Sequence, residues 1–150
     1  MKKYTAQDFD LNGFLPYLMV RFAGRLSNAL ANYYEHEEGI NHAQWRVLAN
    51  LYQHGRLMSK QLVDFTAMDK VSVSRAVQGL LERDWITKQQ HQKDSRAFYI
   101  ELNALGKRAM RRLLPKILNW EESLLSTLDK KEYAAVLRAI EKLDQQLNKQ

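Results

Sequence analysis

The stretch "MDKVSVSRAVQGLLERDW", Met68 to Trp85, predicts a helix with two unlike faces. At 100° per residue, one face collects the apolar side chains of a buried stripe: Val73, Ala76, Val77, Leu80 and Leu81. The opposite face holds mostly polar groups: Val71, Arg75, Gln78 and Glu82, flanked by Ser72 and Ser74. A core helix needs no such polar set, so the outer face is a candidate binding surface.

Length and composition narrow the class of protein. A chain of 150 residues corresponds to about one domain, which can bury a core without metals or cross-links. It contains no cysteine, which excludes a disulfide scaffold, a thiolate zinc site and a cysteine redox sensor. No segment approaches the ~18 to 20 apolar residues of a membrane span, and the start "MKKYTAQDFDLNGF" lacks an apolar run. We therefore expect a cytoplasmic protein without membrane contact.

The net charge of +6 is unevenly placed along the chain. All of the positive excess lies between Arg56 and Lys116, and the segments on either side are close to neutral. This pattern suits a surface that meets a polyanion, and on charge alone a merely solvated basic face is equally compatible.

The segments before this stretch predict further helices. Apolar residues at three- or four-residue spacing indicate a helix over about 9–38, which Gly39 is placed to end in a left-handed C-cap. Asn41 and Gln44 have the spacing of a capping box that opens a second helix, and Ser59 is placed to cap a short third one. The predicted buried stripe of the second helix is Trp45, Leu48, Leu51 and Tyr52.

A small hairpin follows the helical part. Only "FTAM" separates the third helix from Asp69, whose carboxylate can cap the next one, so the segment predicts a helix-turn-helix. After Trp85 the pattern changes to period two in the segments 86–90 and 98–102, with the polar tip "QHQKDSR" between them. A winged helix-turn-helix over about 41–102 is the arrangement that these elements predict.

The remainder of the chain predicts long helices. Asn103 can cap a basic helix that Pro115 should kink or interrupt, and Asp129 with Glu132 opens a strongly amphipathic last helix. Apolar stripes over about 9–38 and 104–148 exceed what a winged helix-turn-helix needs, which predicts a homodimer; a thicker monomeric core is the alternative. The predicted fold class is therefore mainly α with a small β-wing: one domain, 1–150, in which N- and C-terminal dimerisation helices flank the winged helix-turn-helix.

The outer helix face suits the major groove of B-DNA. Arg75 and Gln78 can pair with guanine and adenine edges, and Val71 can pack on a thymine methyl group. The helix N-terminus with its serine hydroxyls suits a phosphate. At the hairpin tip, Lys93 and Arg96 can reach a minor groove, with Asp94 pairing the Arg96 guanidinium, although a plain solvent-exposed turn explains this tip equally well. The candidate DNA contacts are Ser59, Lys60, Lys70, Val71, Ser72, Ser74, Arg75, Gln78, Lys93, Asp94 and Arg96.

The chain resembles the MarR family of winged-helix transcriptional regulators over nearly its full length. The resemblance rests on "QWRVLANL", on "MDKVSVSRAVQGLLERDWI", and on "DSR" followed by "IELNALGKRAM". Asp94, Arg96, Leu102 and Gly106 match the family's wing motif, and Asn103 replaces its usual threonine, which also caps helices. The resemblance implies a homodimer that represses a nearby promoter and leaves DNA when a small ligand binds, often an aromatic acid or its thioester.

Weaker patterns concern a ligand, a metal and the class of function. Tyr17, Arg21, His42 and Trp45 are candidates for an effector cleft, with Arg21 meeting a carboxylate, although aromatic residues at helical spacing more often belong to a core. Glu35, His36, Glu37 and Glu38 lie near His42, but an exposed charged helix end explains them better than a metal site.

Without a catalytic motif, we expect neither an enzyme nor a cofactor. A ligand-responsive DNA-binding repressor and a winged-helix module that docks an acidic protein remain as functions. The sparse outward set of Val71, Arg75, Gln78 and Arg96 favours DNA.

Overall fold

The computed structural model describes residues 6–149 and is mostly helical. After a short 3-10 turn at Ala6–Asp8, its elements are α1 (Leu15–Glu38), α2 (His42–His54), β1 (Leu57–Met58), α3 (Ser59–Thr66), α4 (Lys70–Glu82), β2 (Ile86–Gln90), β3 (Phe98–Leu102), α5 (Ala104–Leu125) and α6 (Lys130–Leu147). This order confirms the predicted fold class. The chain divides after Leu113 into two compact units.

Local capping rules account for most helix ends. Gly39 ends α1 in the left-handed conformation, with φ 61°. Asn41 and Gln44 form the expected reciprocal capping box at α2, each bond 2.9 Å long. The predicted cap at Ser59 is wrong: Met58 is the N-cap of α3, and the Gln61 side chain accepts the Met58 N–H at 2.8 Å. Ser59 is instead the first residue of the helix.

The hairpin belongs to a three-stranded antiparallel sheet of order β1-β3-β2. The β2 and β3 strands pair from Ile86 opposite Leu102 to Gln90 opposite Phe98, which confirms the predicted hairpin. The β1 strand, which has no counterpart among the sequence predictions, pairs Leu57 with Ile100 on the other side of β3. We call β2, β3 and their connection, residues 91–97, the wing, and 91–97 the wing tip.

The first unit, up to Leu113, has a continuous apolar core. In α4, Val73, Ala76, Val77 and Leu80 are buried as predicted, whereas Leu81 is only half-buried. In α2 the stripe is shifted by part of a turn, because Val47 is buried and Tyr52 is exposed. The other core residues of this unit are Tyr34, Ile40, Leu48, Leu51, Leu57, Leu62, Ile86, Ile100, Leu102, Ala109, Met110 and Leu113.

Two long helical stretches keep apolar side chains exposed. In α6 no residue is buried, and its exposed apolar set is Tyr133, Val136, Leu137, Ile140, Leu143 and Leu147. The N-terminal half of α1 similarly exposes Leu15, Leu18, Met19, Val20 and Phe22. The expected interruption at Pro115 is absent, since α5 continues through it; proline removes the single N–H that would bond to the carbonyl four residues earlier. Within residues 6–149, no helix is long and apolar enough to cross a membrane.

Candidate nucleic-acid interface

The outer face of α4 is presented to solvent because its opposite face is held in the core. Val71 keeps 58% of its surface exposed, an unusual position for an apolar side chain with core residues one turn away. Arg75 and Gln78 are also exposed, and Gln78 Nε2 donates to Glu82 Oε1 at 3.2 Å. The face therefore offers one cationic, one amide and one apolar group to a partner, beside the exposed Glu82 carboxylate.

Asp69 organises the N-terminus of α4. Its Oδ1 accepts the Ser72 N–H at 2.8 Å, and its Oδ2 accepts the Ser72 hydroxyl at 2.6 Å. These bonds, the hydroxyl bond first, hold the pKa of Asp69 below its ordinary value. The Ser72 hydroxyl is thus committed to the cap, while Lys70 and Ser74 remain exposed beside it.

The turn between α3 and α4 is fixed by an arginine that sequence reasoning missed. Arg46 of α2 donates from Nη1 to the Thr66 carbonyl oxygen at 3.2 Å, at the last residue of α3. A cation at this position satisfies a terminal carbonyl and complements the negative end of the helix dipole. Ala67 then takes the left-handed conformation, with φ 52°, that turns the chain toward α4.

The wing tip is an ordered polar turn. The predicted Asp94–Arg96 ion pair is wrong for the described structure, because Asp94 Oδ1 accepts the backbone N–H of Arg96 at 2.9 Å. An aspartate carboxylate readily accepts a hydrogen bond from the backbone N–H two residues ahead, whereas a bond to the long, flexible guanidinium would require that side chain to be held in one conformation. The backbone N–H groups of Lys93 and Asp94 both point to His91 Nδ1, at 3.1 and 3.2 Å. Lys93 and Arg96 therefore project their charged ends from a fixed backbone into solvent.

A cationic cleft lies beside the wing tip. The Arg56 guanidinium stands 4.2 Å from the centroid of the Tyr99 ring and donates to Gln89 Oε1 at 3.1 Å. Ser59, at the start of α3, donates its hydroxyl to the Phe98 carbonyl at 3.4 Å and so ties α3 to β3. The cleft has a volume of about 410 Å³ and is lined by Arg56, Gln89, Gln90, His91, Gln92, Lys93 and Tyr99. Arg56 joins the candidate DNA contacts; its only sequence signal was its place at the start of the basic segment.

The four candidate effector residues fall into two groups. Tyr17 and Arg21 contact each other along α1, with the guanidinium 5.7 Å from the ring centroid. His42 and Trp45 meet instead around Tyr34, whose hydroxyl lies 3.1 Å from His42 Nδ1 and whose ring stacks on Trp45 at 5.6 Å. The contacts described for residues 6–149 do not join the two groups. Their common membership of an effector site stays a prediction.

The site around His42 favours the neutral imidazole. Ser27 Oγ also lies 3.2 Å from His42 Nδ1, so two hydroxyl groups surround this nitrogen. Burial lowers the pKa of His42, and the nearby Arg46 charge lowers it further. Burial likewise raises the pKa of the Tyr34 hydroxyl, so both groups are uncharged near neutral pH.

At the acidic end of α1, Glu35, His36 and Glu37 are exposed, whereas Glu38 is held in protein contacts. Glu38 forms a two-point salt bridge with Arg112, and His42 faces Tyr34 and Ser27. Over the residues that the structure describes, no three histidine or carboxylate side chains converge as a metal site would require.

Comparison with known proteins identifies the winged segment. The MarR family model matches residues 38–97, which run from the end of α1 to the wing tip. A MarR-family transcriptional regulator of Silicibacter pomeroyi, 26% identical, superposes with a TM-score of 0.77 over 93% of this chain and 94% of its own. The winged segment of the chain thus matches the MarR family of transcriptional regulators. Regulators of this family bind DNA and are not enzymes, in agreement with the expectation from the sequence.

Two other similar structures are of proteins for which DNA or a small-molecule ligand is named. Sco3205 of Streptomyces coelicolor, a MarR-family regulator in complex with DNA, is 17% identical with a TM-score of 0.81, covering 98% of this chain and 92% of its own. In BpsR of Bordetella bronchiseptica, DNA binding is regulated by 6-hydroxynicotinic acid. BpsR is 19% identical with a TM-score of 0.80, covering 91% of this chain and 96% of its own. At these identities the likeness shows the shared fold. No curated protein sequence matches the chain significantly.

Proposed function

We propose that this protein is a MarR-family regulator, a homodimeric repressor that binds an inverted-repeat operator in double-stranded DNA. The exposed face of α4 carries this proposal. It directs Val71, Arg75 and Gln78 outward, although exposing the apolar Val71 side chain to water is unfavourable. A major groove offers such a face paired hydrogen-bonding edges and thymine methyl groups. A protein interface would instead favour aromatic anchors.

The contacts divide by chemistry. Arg75 and Gln78 read base edges, whereas the exposed Lys60, Lys70 and Ser74 meet phosphates. Lys93 and Arg96 enter the flanking minor groove from the wing tip. The remaining candidates act from within the protein: Ser72 completes the α4 cap, Ser59 ties α3 to the wing, and Asp94 shapes the tip.

Dimerisation is supported by the apolar side chains that one chain leaves exposed. Those of α6 and of the N-terminal half of α1 form apolar faces of the kind that mark interfaces. A two-fold axis would bring two α4 helices to successive major grooves, roughly 34 Å apart, and the operator would be an inverted repeat.

Release by a small aromatic or anionic effector completes the proposal. Arg21 can pair with a carboxylate, and the His42 and Trp45 rings can cover an aromatic ring. The regulation of the similar BpsR by 6-hydroxynicotinic acid supports a ligand of this class. The effector must favour a spacing of the two α4 helices that does not fit the operator, because only differential affinity shifts the equilibrium.

The DNA proposal is tested by selecting binders from a pool of random double-stranded DNA. Fluorescence anisotropy of the selected sequence, over a series of salt concentrations, gives its affinity relative to unselected DNA, and sedimentation gives the oligomeric state. An enriched inverted repeat bound by a dimer supports the proposal. Equal binding of all polyanions, with no sequence enriched, would favour the module that docks an acidic protein.

The effector proposal is tested by calorimetric titration. A panel of aromatic acids and their coenzyme A thioesters is titrated into the dimer with and without the selected operator. By reciprocity, operator should weaken effector binding by the same factor as effector weakens operator binding. An anionic effector should bind more weakly to the Arg21→Ala variant. If no compound binds, or if binding ignores DNA, the protein is a constitutive regulator.

A further inference from the structure

The C-terminal end of α1 is held by an arginine from the end of the DNA-reading helix. Arg83, the C-cap residue of α4, donates from Nη1 to the Glu38 carbonyl at 2.9 Å and from Nη2 to the Gly39 carbonyl. Its guanidinium also stands 5.2 Å from the Trp85 ring centroid. These contacts join segments 44 and 45 positions apart in the chain, and neither carbonyl is bonded within α1.

Glu38, the last residue of α1, is also bound by an arginine of α5. Arg112 Nε and Nη2 donate to the two carboxylate oxygens of Glu38, each at 3.0 Å. The Glu38 side chain is only 10% exposed, so this pair is shielded on its acidic side. The hydrogen bonds that Arg112 donates to the Glu38 carboxylate raise the pKa of Arg112. Glu38 is thus bound through its carbonyl by α4 and through its carboxylate by α5.

Arginine is chemically suited to the first of these contacts. A planar guanidinium presents parallel N–H groups that bind two neighbouring carbonyls in one fixed orientation, which an ammonium group cannot do. The positive charge also complements the negative end of the α1 dipole. The joint therefore restrains both the position and the direction of α1 relative to α4.

We propose that Arg83 is a positioning residue that sets the orientation of α4 relative to α1, and thereby the spacing of the two recognition helices in the dimer. The Glu38–Arg112 pair supports the same joint. This inference rests on the proposed DNA-binding function. The N-terminal half of α1 carries the exposed apolar side chains assigned to the dimer, and the helix of 24 residues, about 36 Å long, connects that half to Arg83. A tilt of α1 is transmitted to α4 through this joint.

The consequence concerns paired half-sites. Within the described structure Arg83 points to the end of α1 and is not part of the outward face of α4, so it leaves contacts at one half-site unchanged. Simultaneous binding of two half-sites depends on how firmly the two α4 helices are held at the matching separation. Loss of the joint should therefore weaken the paired operator and relax its spacing requirement.

The experiment compares three DNA duplexes: the selected operator, the same operator with two base pairs inserted between its half-sites, and a single half-site. Arg83→Gln should bind the operator on the order of tenfold more weakly than the wild type, within the usual range of coupling between sites. It should also lose much of the wild-type preference for the original spacing, with half-site affinity unchanged. Arg108→Gln, which removes one charge from an exposed position of α5, is the matched control and should keep the preference.

Folding of each variant is checked by thermal melting and sedimentation. Arg83→Lys keeps the charge and most of the side chain but cannot bridge both carbonyls. If Arg83→Gln does not fold, the same three duplexes are measured with Arg83→Lys, which should also lose spacing preference. Unchanged spacing preference in a folded variant would overturn the positioning role while the DNA-binding function stands. Equal losses on operator and half-site would also overturn it. If the wild type selects no sequence, the proposed function fails and the inference with it.

Discussion

Gly106→Ala should destabilise the protein because the backbone leaves no room for a side chain in the first turn of α5. Gly106 is buried, and its N–H donates to the capping oxygen Asn103 Oδ1 at 3.0 Å. A Cβ at this position would overlap the carbonyl oxygen of Trp85 and lie 3.1 Å from Leu102 Cδ2. The same Trp85 carbonyl accepts the Asn103 N–H at 3.1 Å, so it cannot move without breaking this bond, which joins the residue before β2 to the residue before α5.

The size of the effect follows from these contacts. Overpacking against a rigid neighbour costs about 1 to 3 kcal/mol, and losing the Asn103–Trp85 hydrogen bond costs about 1 kcal/mol more. Replacing a helical glycine by alanine stabilises the folded state by about 0.5 to 1 kcal/mol, which offsets part of this loss. The net loss in the free energy of unfolding should therefore be about 1 to 3 kcal/mol.

Urea denaturation followed by circular dichroism measures this loss, at one protein concentration for all variants because a dimer's stability depends on concentration. Gly24→Ala is the matched control: an added Cβ at this position in α1 meets no atom within 4 Å, so the variant should be unchanged or slightly more stable. A Gly106→Ala protein as stable as the wild type would refute the argument from backbone overlap.

Three further predictions concern the candidate site. Arg75→Ala should cost about 1 to 3 kcal/mol in operator binding and relax preference at one or two positions per half-site, whereas equal losses on random DNA would make Arg75 a phosphate contact. Arg96→Ala should lower DNA affinity in anisotropy titrations without changing the melting temperature or the dimer, because the wing tip is exposed; unchanged affinity would remove the tip from the interface. Burial holds the pKa of folded His42 below 6.5, so the unfolded chain binds a proton first, and the free energy of unfolding should fall as the pH drops below about 6.5. Urea titrations at about pH 7.5 and 5.5 should show a smaller fall in His42→Gln, and equal falls would contradict this origin.

The parts of the fold that the sequence predicts are those governed by near neighbours. Residues three or four positions apart decide the capping box of Asn41 and Gln44, the Asp69 cap and the buried stripe of α4. Even local rules fail where several side chains can act, as when Gln61 and not Ser59 serves the start of α3. The two-residue strand β1 is too short to show any periodicity, and only its pairing with β3 reveals it.

The contacts that join the elements are mostly invisible in the sequence. Arg46, Arg56 and Arg83 bind partners 20 to 45 positions away, two of them through backbone carbonyls that carry no residue-specific signal. Sequence reasoning counted these side chains as positive charge, although the structure uses two of them to end helices α3 and α1. Charge along the basic segment therefore overstates what is available to DNA: Arg75 and Arg96 stay exposed, whereas Arg83 is occupied.

The same distinction applies to the apolar patterns. In α4 the apolar face is buried within the chain, so periodicity and burial agree. In α6 the pattern is equally regular, yet every apolar side chain on it is exposed. The periodicity of apolar residues indicates that a helix face should be buried, but it does not indicate whether the same chain or another chain buries it. The exposed face of α6 is the face that the proposed dimer would cover.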